Sequence, residues 1–353
     1  MSSAASGPSP PCLCPVRMDR CGQTKLVNDR NPALAERAVQ CISEPMVSPP
    51  PPKLFDRARV ARNRDRASSD YEEYAFLKGR ESNQLLERLK DSPRKFDHAL
   101  DLFAHDGRAS EALLRSEIAR QVTASDSSAG MIKVLKSKGL SAIQVKNDAI
   151  PFEPGSFDLV VSVLSLHWIN DLPQMLRDIK AVLKPDGLFL ACLFGGGSLT
   201  ELRTALIEAE HEITGGISPR LSPLPGLQDM AGLLQSAGLA LPVADRDRVI
   251  VRYEHPMQLL RDLKGMGEQA AFTARPDQVR QPLSRRILAR MTEIYVDRFS
   301  DPDGRVRATF EMIWLSGWAP GPGQPVALKP GSGQFSLADA INSSGKKRHS
   351  DKS

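Results

Sequence analysis

The sequence predicts an α/β fold: a mostly parallel sheet with helices on both faces and an antiparallel last strand. Three observations carry that expectation. Short apolar runs alternate with helical patterns from Ala99 onward, as strand–helix–strand units require. Between two of those runs, Leu172, Met175, Leu176, Ile179, Val182 and Leu183 form one continuous helical stripe. Finally, the apolar strand Phe157–Val161 runs into the polar, aromatic segment Ser165-Leu-His-Trp-Ile-Asn170. Open α/β sheets bind their ligands at such carboxyl ends.

Taken in order, residues 1–53 form a Pro-, Ser- and Cys-rich leader, expected to be disordered, that ends in Ser48-Pro-Pro-Pro-Pro52. Met46 is a candidate natural start. A transit peptide is interrupted by Asp19, Asp29, Glu36 and Glu44. Residues 54–95 read as a helical lid, first basic and then apolar at Phe76, Leu77, Leu85, Leu86 and Leu89. Strand one is expected at Ala99–Phe103, followed by a helix over Ala109–Ala119. Strand two covers Val122–Ala124 and ends at Asp126; strand three covers Ile143–Val145 and ends near Asp148. Phe157–Leu164 is the fourth strand. Asp171 and Pro173 start the striped helix, and Lys184-Pro-Asp-Gly187 stops it with a turn. Leu188–Phe194 is the fifth strand. A helix at Leu199–Ala209, a Pro-rich loop at Ser218–Pro225 and a helix at Leu227–Ala237 come next. A short sixth strand is expected at Val249–Val251, helices at Met257–Gly267 and Leu283–Phe299, and the antiparallel strand at Thr309–Leu315. The folded domain thus spans 54–318 with helical insertions at 199–237 and 256–300, and 319–353 is a disordered tail.

Of the 353 residues, 41% are hydrophobic and 25% charged, enough for a sizeable core and too apolar for global disorder. The formal net charge is +5. Much of the excess lies in the run Arg57–Arg66 and in Lys346-Lys-Arg348, which read as a solvated helix face and a tail. With 5% aromatics and no stacking motif, nucleic-acid binding is not expected. Cys12-Leu-Cys14 lacks zinc spacing, so no metal is expected, and Cys192 reads as a small core residue. No apolar run reaches the length of a membrane span. The expectation is a cytoplasmic protein, or a mitochondrial matrix protein in a eukaryote. Oligomeric state is not legible.

A nucleoside-bearing ligand needs a tight backbone turn, a carboxylate for its ribose and a polar edge for its base. Asp101 and Gly107 suit the turn, and Asp126, about twenty residues after Gly107, suits the ribose. Asp148-Ala149 suits the base. Asp126 reads alternatively as a helix N-cap beside Ser127 and Ser128. His167 is the candidate acid or base, or else packs with Trp168 at the start of the next helix. Arg203 and Arg220 are candidates to hold a carboxylated substrate, or are surface arginines.

Several segments recur in the same order in one family: Ser165-Leu-His-Trp-Ile-Asn-Asp-Leu-Pro173, Leu183-Lys-Pro-Asp-Gly187, Phe194-Gly-Gly, Leu199-Thr-Glu-Leu-Arg203, Ser218-Pro, Asp262-Leu-Lys-Gly-Met-Gly-Glu268 and Gly317-Trp318. Over roughly 54–318 the chain resembles bacterial relatives of the mitochondrial complex I assembly factor with a methyltransferase fold. It is more distantly similar to malonyl-carrier-protein methyltransferases. The resemblance implies a class I methyltransferase (Rossmann-like) sheet, S-adenosyl-L-methionine as cofactor, and a protein substrate or respiratory complex subunit as partner. It equally leaves open an assembly chaperone or an arginine hydroxylase. Carried over by position, Asp101, Gly107, Asp126 and Asp148 are cofactor residues, with Ser165 and His167 facing the reacting end. Ala104, Ala149 and Ser165 are further candidates for the cofactor, and Trp168, Arg203 and Arg220 for the substrate. One departure stands out. The family pattern D-x-G-x-G-x-G is here Asp101-Leu-Phe-Ala-His-Asp-Gly107, with Phe103 and His105 at two glycine positions. Either the loop is remodelled or cofactor affinity is weakened, with His105 recruited to the ligand or serving as an ordinary turn residue.

Overall fold

The computed structural model describes residues 53–90, 94–146, 148–273 and 283–325. The Pro/Ser/Cys-rich leader with its four cysteines and Met46, and the tail beyond 325, lie outside the described residues.

Three helices come first: α1 (Arg57–Ala67), α2 (Tyr71–Tyr74) and α3 (Phe76–Lys90). Then β1 (Phe96–Leu102), α4 (Arg108–Arg115), β2 (Ala119–Asp126), α5 (Ala129–Ser137), β3 (Ser141–Gln144) and β4 (Phe157–Val163) alternate. A 3-10 turn at Leu166–Trp168 leads into α6 (Leu172–Val182) and β5 (Leu183–Phe194). The rest comprises α7 (Thr200–Thr214), α8 (Leu227–Ser236), β6 (Ala240–Tyr253), α9 (Pro256–Gly265), α10 (Arg285–Phe299) and β7 (Val306–Trp318).

The seven strands form one sheet in the order β3-β2-β1-β4-β5-β7-β6. β1 to β5 pair in parallel, while β7 runs antiparallel to both β5 and β6. The strand order reverses between β1 and β4, and their carboxyl ends define the crevice where such sheets bind ligands. Helices α3, α4, α7, α9 and α10 cover one face, and α6 and α8 the other. β1 from Ala99 to Leu102 and β4 from Leu159 to Val163 are therefore buried on both sides, which explains why these stretches are mostly apolar on both faces instead of alternating. Asp171 caps α6 by accepting from the Gln174 N–H, and Met175, Leu176, Ile179 and Val182 sink into the core.

The structure departs from the sequence expectation in three informative places. Lys184–Gly187 is not a free turn. It is the irregular start of β5, because Leu183 already pairs with Phe157 before the register shifts to Leu159–Leu188. β6 is far longer than the three residues expected. As an edge strand laddered only to β7, its run Asp245-Arg-Asp-Arg248 carries charge rather than an apolar signal. The basic run on α1 is only partly solvated. Arg62 and Arg66 face outward, but Arg57 and Arg64, two turns apart on one helix face, point inward. Among the described residues no helix is long and apolar enough to cross a membrane.

Candidate active site

At the tips of β1 and β2 the backbone dominates. Phe103, His105 and Gly107 all adopt left-handed conformations, with φ of 59°, 55° and 79°. The turn thus has the shape a glycine loop would give, at about 1–3 kcal/mol for each non-glycine residue. Phe103 and Ala104 are fully buried, and the Ala104 N–H is tied to Ser125 O at 2.8 Å. Gly107 has no room for a side chain, since a Cβ would lie 2.5 Å from Leu140 and 2.6 Å from Leu135.

Asp101 accepts from the Ser110 backbone N–H at 3.1 Å and from its hydroxyl at 2.7 Å. Burial pushes its carboxyl up, against the pull of Lys78. Asp126 accepts from the His105 N–H at 3.1 Å and the Ser128 N–H at 2.8 Å. The cap of α5 is Ser128, so Asp126 is not the N-cap. Arg64 brings its Nη1 to 3.7 Å from the Asp126 carboxylate, with both side chains in the interior. Asp148 is ion-paired with Arg57, whose guanidinium also lies 5.7 Å over the Phe103 ring and donates to Trp168 O. Ala149, next to it, is exposed.

Around the β4 tip the side chains form a connected cluster. The Ser165 hydroxyl donates to Phe103 O at 2.9 Å and lies 3.4 Å from His105 Nε2. Tyr71 Oη lies 3.1 Å from His105 Nδ1. Burial, reinforced by Arg64, Lys78 and His167, holds His105 well below the ordinary imidazole range and therefore neutral. Lys78 Nζ donates to Val163 O at 2.6 Å. His167 Nε2 and Trp168 Nε1 both meet Glu268 Oε2, at 2.9 and 2.8 Å. Burial opposes the Glu268 charge, but His167, Arg64 and the Trp168 bond outweigh it and keep the carboxyl below its usual range.

Three cavities open beside this cluster, and Glu268 lines all of them. The largest, about 520 Å³, has walls of Leu202, Leu206, Leu260 and Leu263 with Arg59, Arg220 and Lys264. A smaller one of about 50 Å³ shares Leu221, Leu263, Glu268 and Ala270 with it and reaches His167, Trp168, Phe194 and Arg203. The third, about 10 Å³, touches Tyr71, Lys78 and His105. Arg220 is held by Glu210, so of the two arginines singled out from the sequence, Arg203 is the one on the inner cavity. The structure brings His167, Trp168 and Arg203 to the inner cavity and Asp101, Ala104, Gly107, Asp126 and Asp148 to the other side, with Ser165 bonded to the β1 turn through Phe103 O. Glu268, Arg64, Tyr71 and Lys78 were not singled out from sequence. The one available signal for Glu268 was its place at the end of the recurring segment Asp262–Glu268.

Comparison with known proteins identifies the family of this fold. A family described as "Methyltransferase domain" matches residues 100–191. Arginine-hydroxylase NDUFAF5, mitochondrial, of Danio rerio is 36% identical over 290 residues, covering 81% of this chain and 89% of the relative. The protein of the same name in Homo sapiens is 33% identical over 83% of this chain and 84% of its own. Malonyl-[acyl-carrier protein] O-methyltransferase of Halorhodospira halophila is 32% identical over 78% and 92%.

The cofactor expected from the sequence, S-adenosyl-L-methionine, is the methyl donor of this fold, and the buried polar atoms at the strand tips fit it. Arg64 Nε, Nη1 and Nη2, Asp101 Oδ1 and Ser127 Oγ have no hydrogen-bond partner. A guanidinium in the interior without a bond is costly by several kcal/mol, and a ligand carboxylate is its natural complement. The chain belongs to the methyltransferase-fold family that includes arginine-hydroxylase NDUFAF5 and the malonyl-[acyl-carrier protein] O-methyltransferases.

Proposed function

We propose that this protein is an S-adenosyl-L-methionine-dependent methyltransferase that modifies a protein or a carboxylated acceptor and serves in building respiratory complex I. The observation that carries the reading is the groove of about 520 Å³ that leads past Glu268 to His167, at the carboxyl end of β4. Arg59, Lys264 and Arg203 line this path and favour an acceptor carried on an acidic surface or ending in a carboxylate. Asp126 would take the ribose hydroxyls of the cofactor, Asp148 and Ala149 its base, and Arg64 its carboxylate. Asp101, Ala104, Gly107 and Ser165 shape the turn between them. Helices α1–α3 act as the lid. The cofactor supplies an electrophilic methyl group; the chain aligns the acceptor, excludes water and receives a proton at His167. The malonyl-[acyl-carrier protein] O-methyltransferases support this reading by kinship.

A second reading has its own support. Phe103 and His105 fill two glycine positions, and Arg57 and Arg64 lie against the acids meant for the nucleoside. A protein with the same fold and no methyl transfer, acting as an assembly chaperone or as an arginine hydroxylase like its NDUFAF5 relatives, is consistent with that closure. Calorimetric titration with S-adenosyl-L-methionine separates the two. Heat and a thermal shift at millimolar ligand or below are expected; their absence would discard the methyltransferase reading in favour of the second.

A further inference from the structure

We propose that Glu268 is the positioning residue of this site: it accepts from His167 Nε2 and so holds the neutral ring in the tautomer that leaves Nδ1 bare to act as the base. The inference rests on the transfer reading above for its chemistry, but its geometry stands independently.

A neutral imidazole carries one proton, and a carboxylate can only accept. With His167 Nε2 at 2.9 Å from Glu268 Oε2, the proton of the neutral ring belongs on Nε2. Nδ1 is then the lone-pair nitrogen, and it is buried without any hydrogen-bond partner. The ring is not free to turn that nitrogen elsewhere. Phe194 packs edge-on with centroids 5.0 Å apart, and Trp168 lies at 5.5 Å. The same Glu268 oxygen is fixed from a second direction by the Trp168 indole N–H, which only donates. His167 and Trp168 are successive residues of one 3-10 turn, so a single acid clamps the whole turn after β4.

Glu268 reaches this point because Gly267 takes a left-handed φ of 76° as the chain leaves α9. The charged and titratable groups around the pair come from several elements. They are Arg64 on α1, Tyr71 on α2, His105 in the β1 turn, and Arg203 on α7 across the inner cavity. When the acceptor loses its proton, the proton passes to Nδ1 and gives an imidazolium. The Glu268 carboxylate lies in contact with the opposite nitrogen and compensates the new charge.

Nitrogen-15 NMR of the histidine-labelled full chain tests this, with the His167 signals identified by their loss in His167→Gln. In the neutral ring the Nε2–H tautomer is expected to dominate by roughly tenfold or more, as a charge-assisted hydrogen bond of this kind should give. Glu268→Gln, which keeps the shape and removes the charge, is expected to reduce that bias severalfold, and Glu268→Asp to restore part of it. A neutral His167 with its proton on Nδ1, or an unchanged bias in Glu268→Gln, overturns the proposal. If Glu268→Gln does not fold, the wild-type tautomer and the Glu268→Asp spectrum decide. Failure of the chain to bind S-adenosyl-L-methionine would remove the transfer reading and leave the tautomer result standing, so the two can fail separately.

Discussion

The two halves of the crevice are built on opposite plans. At the tips of β1, β2 and β3, Asp126 and Asp148 each have an arginine of α1 against them, and Phe103 fills the first turn. At the tips of β4 and β5, His167, Glu268 and Arg203 border space instead of filling it. Both halves carry strained backbone: Phe103 and His105 after β1, Leu164 after β4, Leu199 after β5. Such residues persist where the surroundings over-determine them, and they cluster at functional sites without being confined to them, as Glu117, Asp186 and Leu241 show. The contrast teaches that strain alone does not say which half accepts a ligand as it stands. On the first side, a bound cofactor would have to exchange the pairs that Arg57 and Arg64 make with Asp148 and Asp126; on the second, the groove is already formed.

The largest effects should come from breaking the closed half. Asp126→Ala removes the carboxylate paired with the buried Arg64 cation and should cost about 3–5 kcal/mol in urea unfolding. It should also abolish binding of the cofactor. Arg64→Met is the informative partner. Asp126 keeps its two backbone N–H bonds, so the loss should stay near 1 kcal/mol or vanish. Equal costs for the two variants would mean that the arginine is held by packing rather than by the acid.

Phe103→Gly comes next. Removing a buried phenyl ring costs about 3–5 kcal/mol. Relief of the left-handed strain returns about 1–3 kcal/mol, for a net loss of about 2 kcal/mol. The same change opens the turn, so affinity for S-adenosyl-L-methionine measured by titration should rise. A variant that loses stability and gains no affinity would show that the ring does not stand in the ligand's way.

How much of this was legible in the sequence differs between the halves. The sheet, the striped helix α6 and the antiparallel β7 follow from periodicity, because each buries a continuous apolar face. The placement of His167 and Trp168 followed from the strand that precedes them. The roles of Arg57 and Arg64 did not. A run of five arginines in ten residues carries the composition of a solvated face, and only the crossing of α1 over the β2 tip decides which two turn inward. Glu268 was equally hidden. It lies 100 residues from Trp168, and no local pattern ties a residue after α9 to a turn after β4. β6 was found in place but at a fraction of its length, since an edge strand with charged side chains gives no period-two signal over its middle.

A pH titration sharpens the comparison at smaller cost. His105 is held neutral in the folded chain and takes a proton readily in the unfolded one, where its pKa is about 6.5. Acid therefore favours unfolding: the contribution of His105 is complete above about pH 6.5 and falls as pH drops below it, by at most about 1.4 kcal/mol per pH unit. Glu268, held below its usual range, adds a second loss of the same sign only at more acid pH. Melting temperature followed from pH 8 downward should show the first decline in the wild type, and His105→Asn should flatten it. An unchanged decline would assign the acid sensitivity to another group.

The smallest effect should come from the open half, where a side chain bordering a cavity has less to lose. Arg203→Ala removes a half-buried cation from the inner cavity and should change stability by no more than about 0.5 kcal/mol. Its signature should lie in recognition instead. Affinity for a carboxylated acyl chain or an acidic peptide should drop, and added salt should weaken binding less in the variant than in the wild type. Should Arg203→Ala prove as destabilising as Asp126→Ala, the two halves would not be built on different plans. The residue would then be a structural member of the crevice wall.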